Sequence, residues 1–304
     1  MTFYEYLCEL TAVYRRHEAD PPALREAHCL AVQTRYEFLP PEPGDLLMGR
    51  KRILPAGFLN EPLLGRSVSW FVDRGRAEEA LAADGAGEAE LSHARSLLDF
   101  WETQETRRNL RAQFPEAFKK AMPEDVYWEH SQVAFPLYRV VGCYLDYEKL
   151  LRLGIPGMKT EIAALRTASG RDAEALALYD ACETALDNFC ALSLSQAALA
   201  EKAGLNAARD ALLMIPERAP QTFVEALQLA WLYSLISGVL NYGRMDDYLG
   251  DFLEKDLADG RITDEEALAY LCSLWKLVDA RKTVFHGRII IGDTVKFGYF
   301  SQEG

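Results

Sequence analysis

The 304-residue chain is 49% hydrophobic and 26% charged, the balance of an ordinary globular protein. Asp and Glu number 46 against 33 Lys and Arg, which gives a net charge of −13. An acidic surface without a long basic cluster repels phosphate backbones and anionic lipids, so we expect no nucleic acid and no membrane partner. Neither a signal peptide nor a run of about 18 apolar residues is visible, which predicts a cytoplasmic protein without a transmembrane helix.

The six cysteines are scattered, and no two of them form a Cys-x-x-Cys pair. A cytoplasmic chain of this size with such spacing indicates neither disulfides nor a zinc site. We therefore predict no metal ligands and a small, buried, hydrophobic role for each of Cys8, Cys29, Cys143, Cys182, Cys190 and Cys272.

Apolar periodicity predicts two amphipathic helices at the start of the chain, at 2–18 and 22–35. Asp20 precedes two prolines between them, where an aspartate caps a helix and a proline suits its first turn. Closely spaced prolines then predict a loop over 39–44, because proline cannot continue a helix. The apolar run 45–49, closed by glycine, predicts a short strand.

The next residues, 50–75, are predicted to be irregular, and the Ala- and Gly-rich acidic stretch 77–87 to be a surface excursion. Asp172 is placed to cap a long helix, Thr263 and Glu266 have the spacing of a capping box, and Gly260 marks a left-handed helix end. The β-branched run 288–291 predicts a strand. The remaining predicted helices cover residues 88–122, 147–153, 161–166, 171–202, 207–214, 222–240, 246–257 and 264–278.

Five segments carry a family resemblance in chain order. The first, 146–155, is Asp-Tyr-Glu-Lys-Leu-Leu-Arg-Leu-Gly-Ile, and 222–231 is Thr-Phe-x-Glu-Ala-Leu-Gln-x-x-Trp. Residues 243–249 follow as Gly-Arg-Met-Asp-x-Tyr-Leu, then the acidic segment 254–267 and Gly-Arg-Ile-Ile-Ile-Gly at 287–292. Together they resemble the N-terminal half of the glycyl radical enzymes, the pyruvate formate-lyase-like family.

The resemblance extends over about residues 44–292, whereas the tail 293–304 is unrecognised. It implies that 1–304 is a partial pyruvate formate-lyase-like N-terminal domain. The implied fold class is mainly α: the helical lobe of a ten-stranded α/β barrel, with one or two short barrel strands and the barrel incomplete. The run 45–49 resembles the family's short strand near the barrel rim.

The sequence also departs from the family pattern. Cys143 stands near the place of a family histidine, and Ser195-Gln196-Ala197 appears where the long helix usually has Arg-Tyr-Ala. Two catalytic elements have no counterpart: the Cys loop that carries the thiyl radical and the Arg-Val-(Ser/Ala)-Gly-(Tyr/Phe) loop that stores the glycyl radical. We therefore predict no catalytic residue on this chain and leave its own enzymatic competence open.

The complete enzyme implied by the resemblance is a carbon–carbon lyase or dehydratase of a small metabolite in anaerobic cytoplasm. No cofactor would be bound directly; an S-adenosylmethionine iron–sulfur activating enzyme would install the glycyl radical. Further implied partners are the small-molecule substrate, a homodimer mate and a C-terminal partner chain if the enzyme is split. The alternative is a non-catalytic scaffold, a pseudoenzyme half that binds a catalytic partner chain.

Arg244 is the one candidate for substrate binding, since an arginine held at a turn can bind a carboxylate bidentately. The interpretation we favour is structural: Asp246 caps the helix 246–257, and Arg244 pairs with a core carboxylate. The four aromatic residues nearby are predicted to belong to the core rather than to a substrate cage: Trp231, Tyr233, Tyr242 and Tyr248.

Two other constellations have the residue types of catalytic sites. Glu90-x-x-His93 has the spacing of a di-iron carboxylate site, but the chain offers no second copy, so a solvated helix face is favoured. Glu129 and His130 are adjacent, and adjacent residues on a helix do not converge. Both pairs are therefore predicted to be structural.

Overall fold

The computed structural model describes residues 1–58, 70–121, 145–170, 172–239 and 241–281. Over these residues the fold is mainly α, which confirms that part of the predicted fold class. The helices are α1 (Phe3–Arg16), α2 (Pro22–Glu37), α3 (Arg74–Ala83), α4 (Glu88–Gln104), α5 (Thr106–Ala112), α6 (Glu116–Ala121), α7 (Tyr147–Ala168), α8 (Ala173–Lys202), α9 (Asn206–Met214), α10 (Phe223–Ser237), α11 (Met245–Ala258) and α12 (Asp264–Ala280). No helix among the described residues is long and apolar enough to cross a membrane.

Four two-residue strands form two small antiparallel pairs within the described chain. β1 (Phe38–Leu39) pairs with β2 (Arg50–Lys51), and β3 (Ala56–Gly57) pairs with β4 (Phe71–Val72). The sequence analysis did not predict them, because pairs this short carry no alternating pattern. The strand predicted at 288–291 lies outside the described residues.

The prediction of a strand at 45–49 is wrong, because side chains rather than a neighbouring strand bind this backbone. The Leu46 amide donates to Ser273 Oγ at 2.8 Å. The Met48 amide donates to Gln228 Oε1 at 2.9 Å, and Gln228 Nε2 donates back to the Met48 carbonyl at 3.0 Å. The buried Gln228 amide thus satisfies both polar groups of one residue, as a paired strand would.

Several helix ends are formed by the residues that the sequence indicates. Asp172 caps α8, accepting from two amides, and Thr263 and Glu266 form a complete capping box on α12. Gly260 has φ +66° just beyond α11, and two hydrogen bonds across this turn close a Schellman motif. Asp20, however, does not cap α2: Pro21 occupies that position, and the Asp20 carboxylate contacts His17 Nδ1 at 2.7 Å instead.

The stretch 77–87, predicted as a surface excursion, contains most of α3. The Asp73 side chain caps this helix, and Ala77 and Leu81 are completely buried. Alanine is the best helix former, so the composition that suggested a loop is equally compatible with a helix. The predicted helical stretch 88–122 is divided into three helices, with breaks at Glu105 and at residues 113–115.

Gly154 bends α7 where the sequence analysis placed a gap between two helices. Its φ is +61° and its ψ −178°, so the helical hydrogen-bond pattern is interrupted there, two residues before Pro156. A Cβ at this position would lie 2.6 Å from Ala219 Cα, a distance that real side chains do not tolerate. Glycine is therefore required both by the left-handed conformation and by the close approach of the 218–219 backbone.

Two hydrophobic clusters hold the described helices together. The N-terminal cluster contains α1, part of α2, the β3–β4 pair, α3 and α4, and is rich in aromatic rings. The C-terminal cluster surrounds α10, which is apolar on all sides, and includes parts of α7, α8, α9, α11 and α12. Helix α2 packs along α8, and Ile236 of α10 contacts both clusters, so the two form a continuous body.

A buried ion pair lies where the clusters meet. Lys51 Nζ is 2.6 Å from Glu37 Oε1, and the two side chains are only 6% and 5% exposed. The same ammonium donates to the Leu235 carbonyl in α10 at 3.1 Å. Three elements, α2, β2 and α10, are therefore joined through one lysine.

Candidate functional site

The described residues form a cleft of about 700 Å³ where the start of α7 faces the turn that leads into α11. Asp146 caps α7 by accepting from the Lys149 amide at 3.0 Å. In the facing turn, Asn241 Oδ1 accepts from the Gly243 amide at 3.0 Å, and Gly243 has φ +61°. The cleft residues come from two of the five family-like segments and the residues just before them: Leu145, Asp146, Tyr147, Glu148, Asn241, Gly243, Arg244, Asp247 and Tyr248.

Two stacked tyrosine rings form one side of the cleft. The rings of Tyr147 and Tyr248 are 4.6 Å apart with an interplanar angle of 17°. The Tyr147 hydroxyl is 2.7 Å from Ser234 Oγ, and the Tyr248 hydroxyl donates to the Tyr242 carbonyl at 2.9 Å. Burial raises the pKa of both phenols, so both stay protonated at neutral pH and contribute apolar surface rather than a base.

Arg244 lies at the rim of this cleft and pairs with Asp246. Its Nε and Nη2 hold the Asp246 carboxylate at 2.7–3.2 Å, and the two side chains are 77% and 68% exposed. The hydrogen bond from Arg244 lowers the pKa of Asp246. The predicted pairing of Arg244 with a core carboxylate is therefore wrong, because its partner is the exposed Asp246.

The predicted cap is also wrong. Helix α11 begins at Met245, its N-cap is Arg244 without a side-chain cap bond, and Asp246 lies inside the first turn. A carboxylate there still complements the helix dipole. Substrate binding by Arg244 stays a prediction.

Behind the turn lies a buried arginine that the sequence analysis missed. Arg281 is 6% exposed and donates from Nη1 to the Val239 carbonyl at 3.0 Å and to the Tyr242 hydroxyl. Its guanidinium also lies within 6 Å of the ring centroids of Trp231 and Tyr242. Arg281 thereby fixes the segment that carries Arg244. Its only sequence signal is an arginine immediately after a helix, which is too common to be specific.

The aromatic prediction is partly confirmed. Trp231 is buried in the C-terminal cluster, and Tyr233, Tyr242 and Tyr248 pack against it. Tyr248, however, also lines the cleft, so one ring serves both the core and the candidate site. Periodicity alone cannot separate these roles, since a residue at a helix start can face both.

The Glu90–His93 pair is structural, as predicted. Glu90 accepts from the Gly87 amide at 3.0 Å in the capping box of α4, whereas His93 Nδ1 is 3.0 Å from the Tyr4 hydroxyl. Each side chain therefore has its own partner, and the two do not converge on a metal. Glu129 and His130 lie outside the described residues.

The cysteine prediction holds in part. Cys29 is buried, and burial raises the pKa of its thiol to about 12. Cys272 is exposed, contrary to prediction, and three others are partly buried: Cys8, Cys182 and Cys190. All five described cysteines are free, and Cys143 lies outside the described residues.

The fold is that of the glycyl radical enzymes. The glycerol-bound B12-independent glycerol dehydratase from Clostridium butyricum superimposes with a TM-score of 0.69 at 18% identity, covering 94% of this chain and 38% of that one. A glycyl radical enzyme from Archaeoglobus fulgidus gives a TM-score of 0.60 at 22% identity, over 90% of this chain and 37% of that one.

The sequence agrees with the fold. The family described as pyruvate formate lyase-like matches residues 3–286, and the chain belongs to that family. Isethionate sulfite-lyase from Oleidesulfovibrio alaskensis is 33% identical over 153 residues, 43% of this chain and 18% of the relative. Trans-4-hydroxy-L-proline dehydratase from Clostridioides difficile is 22% identical over 295 residues, 88% of this chain and 36% of the relative. The chain thus spans well under half the length of these relatives.

Proposed function

We propose that this chain is the helical, substrate-facing part of a glycyl radical lyase or dehydratase that acts on a small metabolite. Membership of the pyruvate formate lyase-like family is the observation that carries the proposal. Two of the relatives are named as a sulfite-lyase and a dehydratase, which supports a lyase or dehydratase as the reaction class.

The radical itself belongs, in this proposal, to residues outside these 304. Radical transfer needs a glycine loop and a cysteine loop close together, and the sequence contains neither pattern. The two loops would lie on a further segment of a longer protein or on a C-terminal partner chain. An activating enzyme would install the radical, and a cytoplasmic homodimer completes the proposed assembly.

Arg244 is proposed to bind an anionic group of the substrate. Its guanidinium is at the rim of a cleft large enough for a metabolite, and the turn that carries it is anchored by Arg281. A substrate carboxylate would compete with Asp246 for the guanidinium fork, which the high exposure of this pair allows. The neighbouring tyrosine rings would exclude water from one side of the bound molecule.

The test is Arg244→Lys in an enzyme reconstituted with a radical-bearing polypeptide and activated anaerobically. Lysine keeps the charge but loses the planar fork, so we expect KM to rise at least tenfold with an unchanged urea melt. Arg209→Lys is the matched control, because Arg209 also pairs with a nearby aspartate, Asp210, away from the cleft. An unchanged KM in Arg244→Lys would remove Arg244 from the substrate site.

The alternative is a non-catalytic scaffold that binds a catalytic chain, and one observation supports the contact with further protein on which both functions depend. Helix α12 exposes three large apolar side chains: Leu268 at 61%, Leu271 at 38% and Trp275 at 56%. Apolar surface of this kind marks a contact with more protein. Both functions need that contact, and they differ in whether the resulting assembly turns over a substrate.

A further inference from the structure

Three side chains with metal-binding atoms converge where α1 turns into α2, on elements that take no part in the cleft. His17 ends α1, Asp20 lies in the turn, and His28 lies in α2. One ligand atom from each falls within 4.8 Å of the others, and the side chains are partly buried. The sequence analysis missed this group, because residues at spacings of three and eight across a helix–turn–helix form no familiar motif.

The ligand atoms lie near one another, and in this structure they are held by a hydrogen bond and a ring stack. His17 Nδ1 and Asp20 Oδ2 are 2.7 Å apart, and the rings of His17 and His28 stack at 3.9 Å with an interplanar angle of 18°. Two ligands at bond lengths of about 2.0–2.1 Å on a tetrahedral zinc are separated by about 3.3 Å. An ion that replaces the hydrogen bond between His17 and Asp20 therefore requires these two groups to move apart by about 0.6 Å. It also requires the two imidazoles to unstack, so that the nitrogen lone pairs, which lie in the ring planes, both point at the ion.

The electrostatics of the turn between α1 and α2 also suit a cation. Helix α1 ends at Arg16, so the negative end of its dipole lies at His17.

We propose that His17, Asp20 and His28 form a Zn²⁺ site that ties α1 to α2, with water completing the coordination. Two imidazoles and one carboxylate are nitrogen and oxygen donors that suit zinc, whereas Mg²⁺ and Ca²⁺ prefer oxygen alone. The site is independent of the proposed catalytic function, because it lies in the N-terminal cluster and needs no radical.

The test is calorimetric titration of the reduced 304-residue chain with Zn²⁺ alone. We expect one site that is lost or weakened at least tenfold in His17→Ala and in His28→Ala. His93→Ala is the matched control, since His93 is an exposed histidine near Cys8 and would report adventitious binding there. Circular dichroism of each metal-free variant establishes that it is folded.

A measurement on the unaltered chain keeps the proposal falsifiable if a variant does not fold. In the side-chain ¹⁵N spectrum of the five histidines, one equivalent of Zn²⁺ should shift the resonances of two. Equal zinc affinity in His17→Ala, His28→Ala and the parent, or zinc shifts on other histidines, would overturn the site. So would the absence of any zinc binding, which would leave the three side chains as a hydrogen-bonded helix end.

Discussion

The N-terminal and C-terminal clusters are both well buried, yet different interactions hold them. In the N-terminal cluster, rings from distant parts of the chain meet: Tyr14 packs edge-on against Trp70 and Trp101, and those two indoles stack at 4.6 Å. In the C-terminal cluster, an apolar helix is enclosed by its neighbours, and residues such as Leu227 and Leu232 have no exposed surface. The first cluster is held by contacts among aromatic rings, and the second by the burial of a central helix.

Local signals, rather than the cluster, decide which parts could be predicted. Helices α1, α2 and α8 to α12 follow local rules such as capping residues and apolar composition, and their predicted bounds are close to the observed ones. Both clusters also contain contacts between distant residues: the Trp101 Nε1 donor is 2.8 Å from Thr11 Oγ1, 90 positions away, and the Met48 amide is 2.9 Å from Gln228 Oε1, 180 positions away. No local pattern encodes such a pair.

The largest expected effect comes from Trp101→Ala, which removes a buried indole from the N-terminal cluster. We expect a loss of about 3–5 kcal/mol, because the cavity adds to the lost transfer energy and Thr11 loses its donor. In hydrogen exchange, the backbone amides of α1 and α4 should lose protection before those of α10. Leu227→Ala is the counterpart in the C-terminal cluster, and it should remove exchange protection from α10 before α1 and α4. If both variants lost protection in the same order, the two clusters would not differ in their local stability.

Glu37→Gln tests the junction between the clusters. It removes the carboxylate that faces the buried Lys51 ammonium, and breaking such a pair costs about 3–5 kcal/mol. Exchange protection should fall in both clusters together, since Lys51 also binds the α10 backbone. Glu9→Gln is the control: its pair with Arg35 is exposed and should contribute only about 0–1 kcal/mol. Similar urea midpoints for the two variants would argue against a stabilising role of the Lys51–Glu37 pair where the clusters meet.

Gly154→Ala tests the bend in α7 that supports the C-terminal cluster. The new Cβ would collide with the backbone of Ala219, whereas at Gly170, also left-handed with φ +64°, it would meet nothing within 4 Å. Gly154 also combines its positive φ with a ψ of −178°, a region open essentially to glycine alone, so backbone strain and the collision both make Gly154→Ala the more damaging variant. The overpacking alone typically costs about 1–3 kcal/mol. Equal urea midpoints for the two alanine variants would show that the α7–219 contact is absent.

The smallest effects separate a true helix cap from an exposed pair. Thr263→Ala should cost about 0.5–2 kcal/mol, because it removes an acceptor for the Glu266 amide at the start of α12. Asp246→Ala should leave the urea melt nearly unchanged, since its carboxylate and Arg244 are both exposed. An Asp246 variant as damaged as the Thr263 variant would restore the interpretation of Asp246 as a cap.

The candidate site was less predictable than the helices around it. The segments that line the cleft could be found from their family-like patterns, and Arg244 with them. Arg281 and the stacked Tyr147–Tyr248 pair could not, because their roles depend on how α7, α10, α11 and α12 pack around the turn. Asp246 was misplaced because capping preferences locate a helix start only to within one or two residues.

The most direct test of the proposed function is electron paramagnetic resonance after anaerobic incubation with an activating enzyme and S-adenosylmethionine. The isolated 304-residue chain should give no glycyl radical doublet, because its sequence lacks the glycyl loop. Addition of a polypeptide that carries the glycyl and cysteine loops should give the doublet together with turnover of a small metabolite. A doublet on the isolated chain would contradict the placement of the radical outside these residues, and a doublet without turnover in the assembly would favour the scaffold.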